Sequence, residues 1–125
     1  MTTPVTVLPL LVFEAAGCLM AIDASEIGHI WSDPDFGEIR SGVAVDLDEY
    51  FTQGQSQGPW LRWVRGTRSA WLRVRRIIDV VPVSLAALTP LPALLSAQQR
   101  TRAFLAAGVQ GDDVFLLLDP GRLTQ

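Results

Sequence analysis

The side chains that could do chemistry are few and scattered in this chain. His29 is the only histidine, so no second imidazole is available for a metal cluster or a catalytic set. Cys18 is the only cysteine, which forbids an internal disulfide and is typical of a reducing compartment. Because Cys18 begins an apolar run that ends at Ile22, we expect its thiol to be buried and unreactive. With no set of nucleophile, base and orienting group, the sequence predicts a protein that is not an enzyme.

Acidic residues are grouped at two places where a cation could bind. Asp33, Asp35 and Glu38 surround a proline, a spacing that could bring carboxylates together around a metal ion. Solvation of a loop explains these three acids equally well, and Asp112 and Asp113 follow a glycine, as turn residues do. No phosphate-binding glycine motif is present. The sequence therefore predicts no metal and no cofactor.

The net charge of −3 conceals an uneven distribution of charge. Residues 1–51 hold nine acids and a single basic residue, Arg40, whereas residues 60–76 hold six arginines and no acid. Arginine offers forked donors that suit protein interfaces. A basic strip on an acidic molecule indicates a protein partner, or the acidic half of the chain itself, more than a polyanion.

The strip belongs to the segment Trp60 to Val83, around which the rest of the chain is organised. Apolar residues and arginines alternate on both sides of a break at Gly66, and this period of two predicts an antiparallel hairpin with one face buried. The predicted buried face holds Leu61, Trp63, Leu72 and Val74, and the opposite face holds Arg62, Arg73 and Arg75. The run stops at Pro82, which cannot donate to a central ladder.

Shorter elements are predicted on either side of this hairpin. Before it are a hairpin of Leu10–Phe13 and Cys18–Ile22, a turn at Asp23–Glu26, strands at Ile27–Trp31 and Ile39–Asp46, and a helical turn at Leu47–Phe51. After it are a helical turn at Ser84–Leu88, a short helix or irregular segment at Leu94–Thr101, and a hairpin of Thr101–Val109 and Val114–Asp119. A final helical turn is capped by Asp119.

The size of the chain fits one domain, residues 1–125, with approximate halves 1–52 and 60–125. We expect the polar segment 52–59 to be a flexible surface connection between them. Up to ten short strands with tight turns predict small barrels or a sandwich of small sheets. No run reaches the roughly 18–20 apolar residues that span a bilayer, and the N-terminal segment lacks a basic region, so we expect a cytoplasmic protein without membrane insertion.

Taken together, the ordered segments resemble the CheW family, the coupling proteins of bacterial chemosensory arrays. In the second half the resemblance rests on Val74–Val80, Phe104–Val109, Gly111-Asp112 and Val114–Asp119. In the first half it rests on Leu11–Phe13, Ala21–Asp23, Ile27–Ile30 and Val45–Leu47. The resemblance implies a mainly β fold of two small five-stranded SH3-like barrels packed on a shared core.

The resemblance also implies a function and a set of contact residues. A CheW-like adaptor links the cytoplasmic tips of chemoreceptors to a CheA-type histidine kinase without catalysing a reaction. The receptor-side surface then contains Ile27, His29 and Ile30 in one strand, and Arg40 in the segment Glu38–Ser41. Apart from the resemblance, the arginine strip itself predicts a second protein interface at Arg62, Arg73 and Arg75.

The chain departs from the family between Ile30 and Val45, where it is markedly shorter. The family's Asn-Leu-Arg-Gly motif is replaced by residues 38–41, Glu-Ile-Arg-Ser. Because this part of the family usually contacts the kinase, we expect kinase coupling to be weakened or lost and the receptor-side groove, or a new partner, to be kept. Abbreviated CheW-like proteins occur in gliding-motility systems, and this chain resembles them.

The alternative is a module that binds single-stranded nucleic acid. Arginines interleaved with Trp60, Trp63 and Trp71 on a small barrel could track a phosphate backbone while the rings stack on bases. Against this alternative, the alternation buries Trp63, and the chain is acidic overall. Core packing, with at least one tryptophan left for a protein interface, explains the same residues.

Overall fold

The computed structural model describes residues 6–32, 42–52, 54–91 and 102–123. Within these residues the chain forms ten strands and two short α-helices. The strands are β1 Val7–Ala15, β2 Cys18–Asp23, β3 Ile27–Trp31, β4 Val43–Asp46, β5 Trp60–Arg65, β6 Arg68–Arg73, β7 Arg76–Ser84, β8 Thr89–Pro90, β9 Phe104–Gln110 and β10 Asp113–Leu118. The helices are α1 Leu47–Phe51 and α2 Pro120–Leu123, and single 3-10 turns cover Ala24–Glu26 and Leu85–Ala87.

The strands form two sheets. One has six strands in the order β7-β1-β2-β10-β9-β8, and the other has four in the order β3-β5-β6-β4. The mainly β, SH3-like architecture is confirmed, but the described strands divide six and four instead of five and five, and neither sheet closes into a barrel within this part of the chain. The larger sheet gains its extra strand because β1 pairs on one side with β2 and on the other with β7.

The organising hairpin is present as expected. Strands β5 and β6 pair in antiparallel register, with Trp63 opposite Ala70 and Leu61 opposite Leu72. Gly66 occupies the turn with a φ of 61°, a conformation that favours glycine. The predicted inner face is fully buried at Leu61, Trp63, Leu72 and Val74.

The segment 52–59 does not separate the two sheets, because it connects β4 to β5 within the smaller one. Where it is described, most of the segment lies at the surface, as expected, but two of its residues are tied to the core. Ser56 is 1% exposed, and its backbone N–H donates to Asp46 Oδ2 at 2.9 Å. Gly58 lies so close to the end of β6 that a Cβ there would stand 2.1 Å from the carbonyl oxygen of Arg75. The polar composition of this segment predicted solvent exposure, but the backbone hydrogen bond of Ser56 holds that residue in the core.

One large apolar cluster joins the two sheets. It contains Phe13 and Met20 from the six-stranded sheet and Trp63 and Leu72 from the four-stranded sheet. A smaller cluster is built around Leu10, Val12, Ala21, Val81 and Phe115, all from the six-stranded sheet. Burying a large apolar side chain stabilises a fold by about 1.5–3 kcal/mol, so the shared cluster holds the two sheets together.

The short helical segments begin at residues whose side chains cap them, as the sequence predicts for Asp119. Asp46 Oδ1 accepts from the N–H groups of Asp48 and Glu49 at the start of α1, at 3.0 and 3.3 Å. Asp119 Oδ1 accepts from Gly121 N–H at 3.0 Å at the start of α2. These caps satisfy backbone donors that a single turn cannot satisfy internally. The predicted segment at residues 94–101 lies outside the described residues.

Cys18 is exposed, so the expectation of a buried thiol is wrong. It is the first residue of β2 and directly follows the Ala16-Gly17 turn, with burial in this strand beginning at Met20. Apolar neighbours along the chain therefore did not determine the environment of the thiol, because a strand end beside a turn faces solvent.

Candidate protein-interaction site

An open cleft lies where the two sheets meet. Leucines from the six-stranded sheet form one wall, among them Leu8, Leu105 and Leu117. Charged side chains form the opposite rim, with Glu26 and Arg65 on the side of the four-stranded sheet. The cleft has a volume of about 160 Å³, below the roughly 300–1,000 Å³ of pockets that hold small molecules. Its size and apolar wall suit one or two side chains of a docked protein.

Arg65 forms the charged rim by bridging two acids. Its Nε lies 2.6 Å from Glu26 Oε2, and its Nη2 lies 3.0 Å from Glu26 Oε1. The same Nη2 lies 3.0 Å from Asp119 Oδ1, at the end of the six-stranded sheet. Such a two-pronged contact fixes the orientation of a guanidinium more firmly than a single ion pair does. The bridge therefore joins the two sheets across the cleft.

Glu26 is held in its ionised form by this network. The hydrogen bonds from Arg65 lower the pKa of the Glu26 carboxyl below its ordinary value, against the opposing effect of burial. The indole N–H of Trp63 also donates to Glu26 Oε1, at 3.2 Å. The contact with Glu26, and then that with Asp119, raises the pKa of Arg65. The rim thus carries fixed charges at neutral pH and does not act as a proton donor or acceptor.

The structure places the predicted receptor-side residues of β3 at one edge of the four-stranded sheet, since β3 pairs with β5 alone in the described part of the chain. Ile27 directly follows the rim residue Glu26 and packs against the large cluster. His29 is exposed, and Ile30 is 44% exposed. Ile27 and His29 do not point the same way, because a bulge interrupts the register between them. Arg40 lies outside the described residues.

The arginines predicted for a second interface are not one surface. Arg62 and Arg73 lie on neighbouring strands, on the sheet face opposite to Leu61 and Leu72. Arg75 instead lies beyond β6, where its Nη2 is 2.8 Å from Oδ2 of the buried Asp48. Two other arginines of the basic segment also pair with acids of residues 1–51, Arg65 with Glu26 and Arg76 with Glu14. The acidic half of the chain is therefore one partner of the basic segment.

Sequence reasoning did not identify the leucine wall or the charged rim. Leu8, Leu105 and Leu117 belong to three different strands, and no local pattern brings them together. Glu26 and Asp119 are 93 positions apart in the sequence. The sequence held only a weak signal for this bridge. Arg65 ends a hairpin strand, and Glu26 and Asp119 each lie at a predicted turn.

Two broader classes of site receive no support. In the described residues, no group of three or more histidine, cysteine or acidic side chains is placed to hold a metal ion. Trp63 and Trp71 are buried, so their rings do not present faces for stacking on bases.

Within the described residues, no helix has the length and apolar character needed to cross a membrane.

Comparison with known proteins bears on the fold. No protein-family model matches the sequence, and no curated protein matches it. The crystal structure of the scaffolding protein TtCheW from Thermoanaerobacter tengcongensis is similar, with a TM-score of 0.68 at 17% sequence identity. The match covers 90% of this chain and 89% of that chain. The resemblance inferred from the sequence is thus confirmed for the architecture: this chain has the CheW-like fold.

Proposed function

We propose that this chain is a non-enzymatic adaptor of bacterial chemosensory signalling, which binds partner proteins through the cleft between its two sheets. Its partners are the cytoplasmic tip of a chemoreceptor and, more weakly, a CheA-type histidine kinase or another array protein. It acts in the cytoplasm, where receptor arrays recruit it. The observation that carries the proposal is an apolar cleft with a fixed charged rim, on the fold of a protein described as a scaffold.

The chemistry of the cleft suits a helical receptor tip. Leu105 is 38% exposed at the leucine wall, so it is available to a partner. Apolar side chains projecting from one face of a helix can enter such a groove, while polar side chains beside them meet the rim. The bridge between Arg65 and its two acids keeps the rim in place before the partner arrives, which reduces the ordering cost of binding.

The weaker kinase contact rests on the short segment between Ile30 and Val45. Residues 33–41 of that segment lie outside the described residues. Kinase and receptor are therefore scored separately in the experiment.

The test is co-purification with the chemoreceptor and the kinase encoded nearest to the gene. A Leu105→Glu variant changes the exposed leucine wall, and Val80→Glu is the matched control, since Val80 is 51% exposed on β7 and does not line the cleft. We expect Leu105→Glu to weaken receptor binding by about 1–2 kcal/mol, the effect of losing a central interface contact. Val80→Glu should bind as the unmodified protein does. Equal retention of the receptor by both variants would exclude the cleft, and recovery of neither partner by the unmodified chain would leave only the fold.

A further inference from the structure

A second surface lies on the outer face of the four-stranded sheet. His29 stands opposite Arg62, which stands opposite Trp71 on the next strand. One step along, Trp31 stands opposite Trp60, which stands opposite Arg73. Residues directly opposite each other share a face of the sheet, and so do residues two apart in a strand. These six side chains form the arginine–tryptophan face: His29, Trp31, Trp60, Arg62, Trp71 and Arg73.

The side chains of this face are ordered by contacts with one another. The guanidinium of Arg62 lies 5.4 Å from the ring centre of Trp71, and that of Arg73 lies 5.4 Å from the ring centre of Trp60. The His29 ring lies 5.6 Å from the Trp31 ring and 6.5 Å from the Trp71 ring. Stacking on indole rings holds a guanidinium in place. Arg73 Nε also donates to the carbonyl oxygen of Gly58 at 3.2 Å, and the terminal nitrogens of the guanidinium remain to meet a ligand.

These two arginines differ from those that join the sheets. In the described part of the chain no carboxylate lies within ion-pair distance of Arg62 or Arg73, whereas Arg65, Arg75 and Arg76 are each paired. The acid opposite Arg73 is Asp46, but its carboxylate accepts hydrogen bonds from backbone N–H groups of α1 and of Ser56. Among the described residues, this face therefore carries two guanidinium groups without a paired carboxylate, although the chain as a whole carries a charge of −3.

We propose that the arginine–tryptophan face docks an acidic segment of a partner protein. Its carboxylates contact Arg62 and Arg73, and its apolar side chains pack on Trp31 and Trp60. Carboxylates match the fork of a guanidinium, and tryptophan with arginine is the combination enriched where protein interfaces are tightest. A nucleic acid fits less well, because Arg62 covers the buried Trp71 ring and the negative molecule repels a polyanion. This surface is separate from the cleft and does not depend on the function proposed for it.

The test measures fluorescence anisotropy of a fluorescein-labelled peptide made of Glu-Glu-Leu-Ser repeats, titrated with the full chain. A peptide of Gln-Gln-Leu-Ser repeats has the same length without the charge. The variants are Arg62→Gln and Arg73→Gln, with Arg76→Gln as the matched control, since Arg76 is exposed on the other sheet and loses the same charge. Near-ultraviolet circular dichroism checks that each variant is folded.

We expect saturable binding of the glutamate peptide that weakens with added salt, and little binding of the glutamine peptide. Arg62→Gln and Arg73→Gln should each reduce affinity by about fivefold to tenfold, whereas Arg76→Gln and the cleft variant Leu105→Glu should retain it. The proposal is overturned if the glutamate peptide does not bind, if Arg76→Gln loses as much affinity as the other variants, or if labelled oligo-thymidine binds more tightly. It is also overturned if sedimentation shows that a second copy of the chain occupies this face, with a dimer that Arg62→Gln dissociates.

Discussion

The buried carboxylate of Asp48 holds the guanidinium of Arg75 at 2.8 Å. Its other oxygen accepts the backbone N–H of Ala16, in the turn between β1 and β2. Asp48 belongs to α1, which follows the four-stranded sheet, and the turn belongs to the six-stranded sheet. One acid therefore connects the two sheets at the end of the molecule that carries this turn. The cleft depends on the relative position of the sheets, so these contacts bear on binding as well as on stability.

Removing the Asp48 carboxylate should destabilise the fold. In Asp48→Ala the N–H of Ala16 loses its acceptor, which costs about 2 kcal/mol, while the partly exposed Arg75 is hydrated by water. Urea unfolding followed by tryptophan fluorescence measures the free energy of unfolding. The control is Asp113→Ala, at the exposed first residue of β10, which should stay within about 0.5 kcal/mol of the unmodified protein. Equal stability of the two variants would show that the Asp48 contacts contribute nothing.

Stability should fall on acidification. Burial opposes ionisation of Asp48, but hydrogen bonds from Ala16 and Arg75 outweigh it and hold its pKa below the ordinary value, and Arg65 does the same for Glu26. A carboxyl whose pKa is lower in the folded state contributes stability above its unfolded pKa, and this is lost as the pH falls through the folded pKa. The free energy of unfolding should therefore decline as the pH falls below about 5. The decline should be shallower in Glu26→Gln, and an unchanged slope would contradict the role of Glu26.

Gly58 should not tolerate a side chain. A Cβ at this position would lie 2.1 Å from the carbonyl oxygen of Arg75 and 2.4 Å from that of Val74, and neither backbone atom can move without shifting the end of β6. We expect Gly58→Ala to cost about 1–3 kcal/mol, as overpacking does elsewhere. The matched control is Gly54→Ala in the same segment, where the nearest atom is a side-chain oxygen at 3.5 Å. Thermal unfolding of both variants gives the comparison, and equal midpoints would contradict the close approach.

Gly108 leaves room for the ring of Phe115 on the neighbouring strand. A Cβ on Gly108 would lie 2.4 Å from the ring's Cζ atom. Gly108→Ala should therefore destabilise the protein by about 1–3 kcal/mol. Since the clash is with one side chain, Phe115→Leu should cost less in the Gly108→Ala background than in the unmodified chain. A double-mutant cycle in urea measures this coupling, and additive effects would show that the two residues do not interact.

Local pattern was sufficient to predict most strands and turns in the described part of the chain, although not the two-residue strand β8. Alternation of arginine with apolar residues around Gly66 placed the hairpin and its buried face, since a pleated strand turns successive side chains to opposite sides. The sequence identifies Asp119 as a cap because capping depends on neighbours within three residues, and Asp46 caps α1 by the same local geometry. Gly66 marks a turn for the same local reason, but Pro82 does not end its strand, because β7 lies at the edge of the sheet and continues to Ser84.

Only the tertiary structure decided which surfaces these elements create. The cleft joins leucines of three strands to a bridge between Glu26, Arg65 and Asp119, and no spacing in the sequence encodes that meeting. Pairing of β1 with β7 made the sheets six and four. Arg65, Arg75 and Arg76 pair with acids of residues 1–51, whereas Arg62 and Arg73 do not within the described part of the chain. The sequence determines which side chains of a strand share a face, because this depends on short-range geometry. Which other elements contact that face depends on the packing of the whole core.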